Sequence, residues 1–121
     1  MNKRASQGFT IVELIIVVIV IGIIASLAII SYGSWRTNVA EKQAKSDLTQ
    51  VSAAMESARG FGTVGYPTSI PSTFTASSGI TMTYRFGDKT YYCIDAVSAS
   101  ISSVTFHIDS RSAINPLTGV C

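Results

Sequence analysis

Three groups of residues in this chain could do chemistry, and each asks for a different partner. Glu13 stands at the head of a long uncharged run, residues 14–35. A carboxylate at the centre of a bilayer helix costs about 2.5–3.5 kcal/mol on insertion scales, so such an acid needs something to neutralise it. Cys93 and Cys121 are the two cysteines, far beyond that run. Thiols placed so can bridge on an oxidising side of a membrane or stay free on a reducing one. His107 and Asp109, two apart in an alternating segment, would project from one face of a strand. They have little to act with. No nucleophile motif surrounds any serine, and a metal site lacks ligands once the cysteines are used in a bridge. His107 therefore reads as a solvated strand residue. No catalytic residue, metal or cofactor is expected, and the chain is not read as an enzyme.

The compartment follows from the flanks of the uncharged run. Lys3 and Arg4 precede it, so the positive-inside rule puts the N-terminus in the cytoplasm and the remainder outside. A Cys93–Cys121 disulfide is then expected. It would close a loop of about 29 residues, for roughly 3.5 kcal/mol on the chain-entropy scale. Cys121 is the last residue, and the bridge would keep a terminal strand from fraying. With 121 residues and an N-terminal quarter apolar on all sides, the globular remainder is small enough to need such a staple. Only 13% of residues are charged, at net +2, which gives no electrostatic footprint for nucleic acid.

The elements that must position these groups begin with a helix. Ile and Val dominate residues 14–30. They favour strand in water, but lipid does not tolerate an isolated strand. From Ser31 to Arg59 the pattern turns amphipathic. Tyr32, Trp35 and Val39, then Ala44, Leu48, Val51, Met55 and Ala58, recur at helical spacing. Glu41 precedes Lys45 by four, the favourable order for a surface pair. Gly60, Phe61 and Gly62 supply the stop. One helix over residues 9–59 is expected, roughly 75 Å long.

Residues 60–78, rich in Gly, Pro, Ser and Thr, form a connector, with Val64, Ile70 and Phe74 to tack it down. Ile80, Met82, Tyr84 and Phe86 then alternate with polar residues, and a second strand runs over 90–97 after a turn at 87–89. A third strand carries Val104, Phe106 and Ile108. Residues 110–121 read as an irregular tail. One apolar stripe on the helix and one apolar face on a three- to four-stranded antiparallel sheet make an α+β fold. Tyr84, Phe86, Tyr91, Tyr92 and Phe106 could stack on single-stranded DNA, but they are better used packing the sheet on the helix. Direct nucleic-acid binding is not expected.

Residues 8–13, Gly-Phe-Thr-Ile-Val-Glu, resemble the prepilin signature of type IV pilins and of the pseudopilins of type II secretion and competence systems, and Lys3 and Arg4 match the basic leader. The resemblance covers residues 3–29, with a looser architectural likeness beyond. It implies cleavage after Gly8 by a prepilin peptidase, N-methylation of Phe9, and an assembly role for Glu13, fifth in the mature chain, paired with the amine of Phe9. It also implies an assembly ATPase and a platform protein as partners. Many pilins carry proline at the position of Ile30, which this chain lacks. The implied layout is a leader over 1–8, a transmembrane and filament-core helix over 9–30, and a globular part over 31–121 with the sheet in 79–109 and the tail in 110–121.

The expected function is a structural precursor that rests as a single-pass protein of the cytoplasmic membrane. It would then polymerise with itself into a helical surface or periplasmic filament for motility, adhesion or DNA uptake. A pseudopilin is the alternative within the family. An ordinary secretory signal cut near residues 26–28, or a membrane-anchored extracellular domain that never polymerises, is the alternative from another class.

Overall fold

The computed structural model describes residues 8–60, 65–112 and 115–121. Its elements run in the order α1 (Ile11–Gly60), β1 (Ile80–Gly87), β2 (Tyr92–Ser98), β3 (Thr105–Asp109) and β4 (Leu117–Thr118). The fold is α+β: one long helix and a four-stranded antiparallel sheet in sequential order. The helix is continuous through Ile30, Gly22 and Gly33. The chain divides into two units, Met1–Trp35 and Arg36–Cys121.

The second unit carries the core. Its helical segment is rich in Ala, Glu, Lys, Gln, Leu and Met, all strong helix formers. Ala40, Ala44, Leu48, Val51 and Met55 lie buried at steps of four and three, against Ile80, Tyr92, Ile94, Ala96, Phe106 and Ile108 of the sheet. Burying a Leu or Met side chain contributes about 1.5–3 kcal/mol, so this stripe holds the unit together. Tyr32 and Trp35, three residues apart but out of phase with Ala40 and Ala44, are exposed. Lys45, expected to pair with Glu41, lies over the Phe106 ring, 4.7 Å from its centroid.

The β1–β2 turn is longer than the alternation implies. The Asp88 carboxylate accepts hydrogen bonds from the Thr90 amide and hydroxyl, both at 2.6 Å, and from the Tyr91 amide at 3.2 Å. This side-chain-capped turn takes residues 90 and 91 out of the expected strand, so β2 starts at Tyr92. A second departure lies in β1. Tyr84 pairs with Ile94 but Phe86 pairs with Cys93, so a bulge falls at Arg85. An extra residue in one strand turns every later side chain to the opposite face. Phe86 accordingly leaves the helix side of the sheet and is exposed.

The tail is not wholly irregular. Leu117 and Thr118 pair with His107 and Phe106 as β4, so the sheet reaches beyond residue 109. Gly119, with φ of +97°, then turns the chain, a conformation glycine adopts without Cβ strain. The connector is held by Tyr66, whose ring meets Tyr92 edge-on at 4.9 Å. Its hydroxyl donates to Glu56 and accepts from Arg59, on the last turns of α1. Ile70 and Phe74 pack on the core as expected. Val64, and the stop at Phe61 and Gly62, lie outside the described residues.

Candidate functional site

The head of α1 is built from Thr10 and Glu13. The Thr10 hydroxyl accepts from the Glu13 amide at 3.2 Å, and the Thr10 amide donates to Glu13 Oε2 at 2.9 Å. The Thr10 hydroxyl also donates to that same oxygen, at 2.9 Å. The first helical bond runs from the Leu14 amide to the Thr10 carbonyl. This is a capping box: Thr at the N-cap and Glu three residues on satisfy each other's backbone donors. The sequence reading gave Glu13 the amine of Phe9, on its own or a neighbouring subunit, as partner, and the Thr10 partner was readable in the Thr-x-x-Glu spacing. Both contacts fall on Oε2, so among the described residues Oε1 keeps its acceptor capacity. Ahead of the cap, Gly8 has open space around it and Phe9 is 86% exposed. Lys3 and Arg4 lie outside the described residues.

Behind the cap the helix presents apolar side chains on every side. Ile11 to Ile30 are exposed around the whole circumference, and no Asp, Glu, Lys or Arg occurs between Glu13 and Arg36. Ser26 returns its hydroxyl to the Ile23 carbonyl at 2.7 Å, which satisfies it without solvent. Among the described residues this is one helix long and apolar enough to cross a membrane.

The second group of residues lies on the sheet face turned away from the helix. Cys93 and Cys121 form a disulfide, with S–S 2.06 Å and Cα–Cα 6.1 Å. Two residues along β2, Asp95 is 0% exposed. It accepts from Arg85 Nε, and its other oxygen accepts from the Cys121 amide at 2.8 Å. A buried carboxylate is tolerated when charge-paired and hydrogen-bonded. Asp95 therefore locks the bulge residue of β1 and the last residue of the tail onto one strand. In the sequence Asp95 is one residue of the strand expected over 90–97, with no role marked for it. Its place beside Cys93 on a period of two was the signal that it shares the face of the bridge.

The remaining candidates disperse. His107 Nδ1 lies 3.1 Å from the Gly119 carbonyl and helps seat the tail. Asp109 shares its face as expected but is engaged by Arg111, whose hydrogen bonds hold the Asp109 carboxyl below its ordinary range. Asp88 is likewise lowered, by the Thr90 hydrogen bonds. Among the described residues no cluster of His, Cys, Asp and Glu could hold a metal ion. The five aromatic residues form no common platform. Tyr92 and Phe106 are buried toward the helix, while Phe86 and Tyr91 meet on the outside with Arg111 over the Tyr91 ring at 4.1 Å. Burial pushes the Tyr66 and Tyr92 hydroxyls up from their ordinary value. One further residue went unread. Asp47, buried within the helix stripe, accepts from the Ser77 amide and hydroxyl, both at 2.8 Å, and clamps the connector to α1.

Comparison with known proteins locates the likeness at the head of the chain. Residues 3–29 match the family described as "Prokaryotic N-terminal methylation motif". Two fimbrial proteins of Pseudomonas aeruginosa are each 40% identical over 55 residues, 46% of this chain and 36% of the relative. The chain thus spans about a third of the length of the curated relatives it matches. No solved structure matches it. The described part of the matched segment forms the cap and first turns of α1, so the head of this chain is similar to the methylated N-terminal segment of prokaryotic fimbrial proteins, and one long helix with a four-stranded antiparallel sheet is consistent with a pilin-like fold.

Proposed function

We propose that the chain is the precursor of a structural subunit of a type IV pilus-like filament and not an enzyme. The observation that carries this reading is a single carboxylate at the head of a helical segment, residues 11–35, that is otherwise charge-free and exposed. In water such a surface would aggregate, and both lipid and a bundle of like helices cover it. The precursor rests in the cytoplasmic membrane with its N-terminus inside. A prepilin peptidase cuts after Gly8 and methylates Phe9, leaving the helix attached to the globular part. The helix then passes from lipid into a fibre core through head-to-tail contacts that do not close, the geometry of a filament. An assembly ATPase and a platform protein would drive that transfer, for motility, adhesion or DNA uptake.

Glu13 has a double use in this scheme. Its Oε2 caps its own helix through Thr10, and its Oε1 is available to the Phe9 amine of a neighbouring subunit. In a low-dielectric core, leaving such a charge without its partner costs about 3–5 kcal/mol, enough to reject a misregistered helix. Glu13→Gln tests the pairing apart from the cap. Glu13→Gln keeps a capping side chain and loses the charge, whereas Glu13→Ala loses both. Both variants should fail to build fibres visible by electron microscopy while remaining in the membrane. Fibres of Glu13→Gln as abundant as wild type would refute the pairing.

The N-terminal mass of the mature subunit tests the processing. Methylated Phe9 is expected, and residue 29 onward or an intact Met1 would overturn it. A pseudopilin is the second reading, favoured if methylated Phe9 is found without long fibres.

A further inference from the structure

We infer that Tyr32 and Trp35 are an interfacial anchor. They dock in the headgroup and glycerol region of the outer leaflet, and so hold Glu13 at the opposite face of the bilayer until assembly begins. The inference rests on the reading of α1 as a membrane-held helix. The two rings lie one turn apart on α1, with centroids 5.8 Å apart. Their exposures are 58% and 59%, eight and five residues before Ala40, the first buried residue of the core stripe. They are large amphipathic side chains just where the apolar run ends, and Arg36 follows in sequence as the first charged residue after Glu13. Trp and Tyr concentrate at the boundary between hydrocarbon and headgroups, where the ring is half in oil and the N–H or O–H finds polar partners.

The spacing supports the same placement. Tyr32 lies about 19 residues beyond Glu13, which at 1.5 Å per residue is about 28 Å. The hydrocarbon core of a bilayer is about 30 Å thick. With the aromatic pair at one boundary, Glu13 falls at the other rather than mid-membrane. Its carboxylate and the Thr10 cap then meet headgroups and water, and the insertion cost of a central charge does not arise in the resting precursor. Lifting the helix outward would draw Glu13 into hydrocarbon and the two rings out of their boundary. The resting position is thus held from both ends, and outward motion becomes favourable only where a neighbouring amine meets Glu13.

Trp35 is the one tryptophan, so its fluorescence reports its depth without any labelling. The full chain is reconstituted in phosphatidylethanolamine–phosphatidylglycerol vesicles doped with lipids brominated either near the glycerol or near the chain ends. Shallow bromines should quench Trp35 more than deep ones. In the variant combining Trp35→Leu with Leu27→Trp, the probe moves about 12 Å toward the midplane, and the order should reverse. Stronger quenching of Trp35 by deep bromines would overturn the anchor. Quenching by neither would also overturn it, by placing the ring in water or against a protein neighbour. Electron microscopy of fibres from the same strain reads the filament function independently, so a failed anchor and a failed subunit assignment give different results.

Discussion

Removing Arg85 is the sharpest test of the outer sheet face, because it leaves the Asp95 carboxylate with a single donor. Asp95 is 0% exposed, while the Arg85 side chain is 49% exposed. Breaking a fully buried pair by deleting one partner costs about 3–5 kcal/mol. Half the pair faces water here, which screens the interaction, so Arg85→Met should cost about 2 kcal/mol. For a folded unit of this size each kcal/mol moves Tm by about 4–8 °C, so a fall of about 8–16 °C is expected. The assay is thermal unfolding of the full chain in detergent, followed by the near-ultraviolet circular dichroism of the tyrosines. The disulfide is verified intact by mass. Adding Asp95→Leu to Arg85→Met removes the stranded charge, and the double variant should recover more than half of the loss. A melting point for Arg85→Met within about 3 °C of wild type would refute the argument. So would a double variant that melts below the single one, since Asp95 would then stabilise without its guanidinium.

Other perturbations probe the connector and the tail. Gly65 has φ of +114°, and a Cβ there would lie 2.3 Å from the Lys89 carbonyl oxygen, so Gly65→Ala should cost about 1–3 kcal/mol. Gly79→Ala, at φ of +85° in open space, should cost less, and equal melting points would contradict the steric account. Asp47→Ala frees the Ser77 amide and hydroxyl, and should lower stability by about 1–2 kcal/mol. It should also speed limited proteolysis within residues 65–78, and an unchanged cleavage rate would count against the clamp. Arg111 lowers the Asp109 carboxyl below its ordinary 3.8. That contribution is fully present above pH 3.8 and is lost as pH falls through the lowered folded-state value. The difference in Tm between wild type and Arg111→Ala should therefore shrink below pH about 3.8, and a constant difference across the acid range would exclude the linkage.

The helix was legible because its two halves obey one period with two solvents. Residues 14–30 are apolar at every angle, while Ala44, Leu48, Val51 and Met55 repeat at four and three. The strands were legible from alternation, and the disulfide from the compartment. What escaped depends on pairing across the chain. Nothing local marks Arg85 as a bulge, because Phe86 continues the alternation perfectly. Only its pairing opposite Cys93 reveals the shift. The two-residue β4 exists only because β3 offers an edge. Asp95 looks like any strand-edge acid until Cys121 is brought beside Cys93. At the candidate site the Thr10 and Glu13 spacing was readable. It competed with a stronger signal, a lone acid ahead of an uncharged run, and the cap occupies one oxygen of that acid, Oε2.

The bulge in β1 also bears on how copies of this chain avoid one another. An outer strand offers unsatisfied amides and carbonyls, and two such rims can zip together into an unlimited stack. At one rim of this sheet the ladder is interrupted at Arg85, which twists the strand and adds a charge. At the other, β4 offers two residues before Gly119 bends the chain away. Neither rim gives a partner strand a continuous template. Copies of this chain are thereby discouraged from joining edge to edge through their sheets.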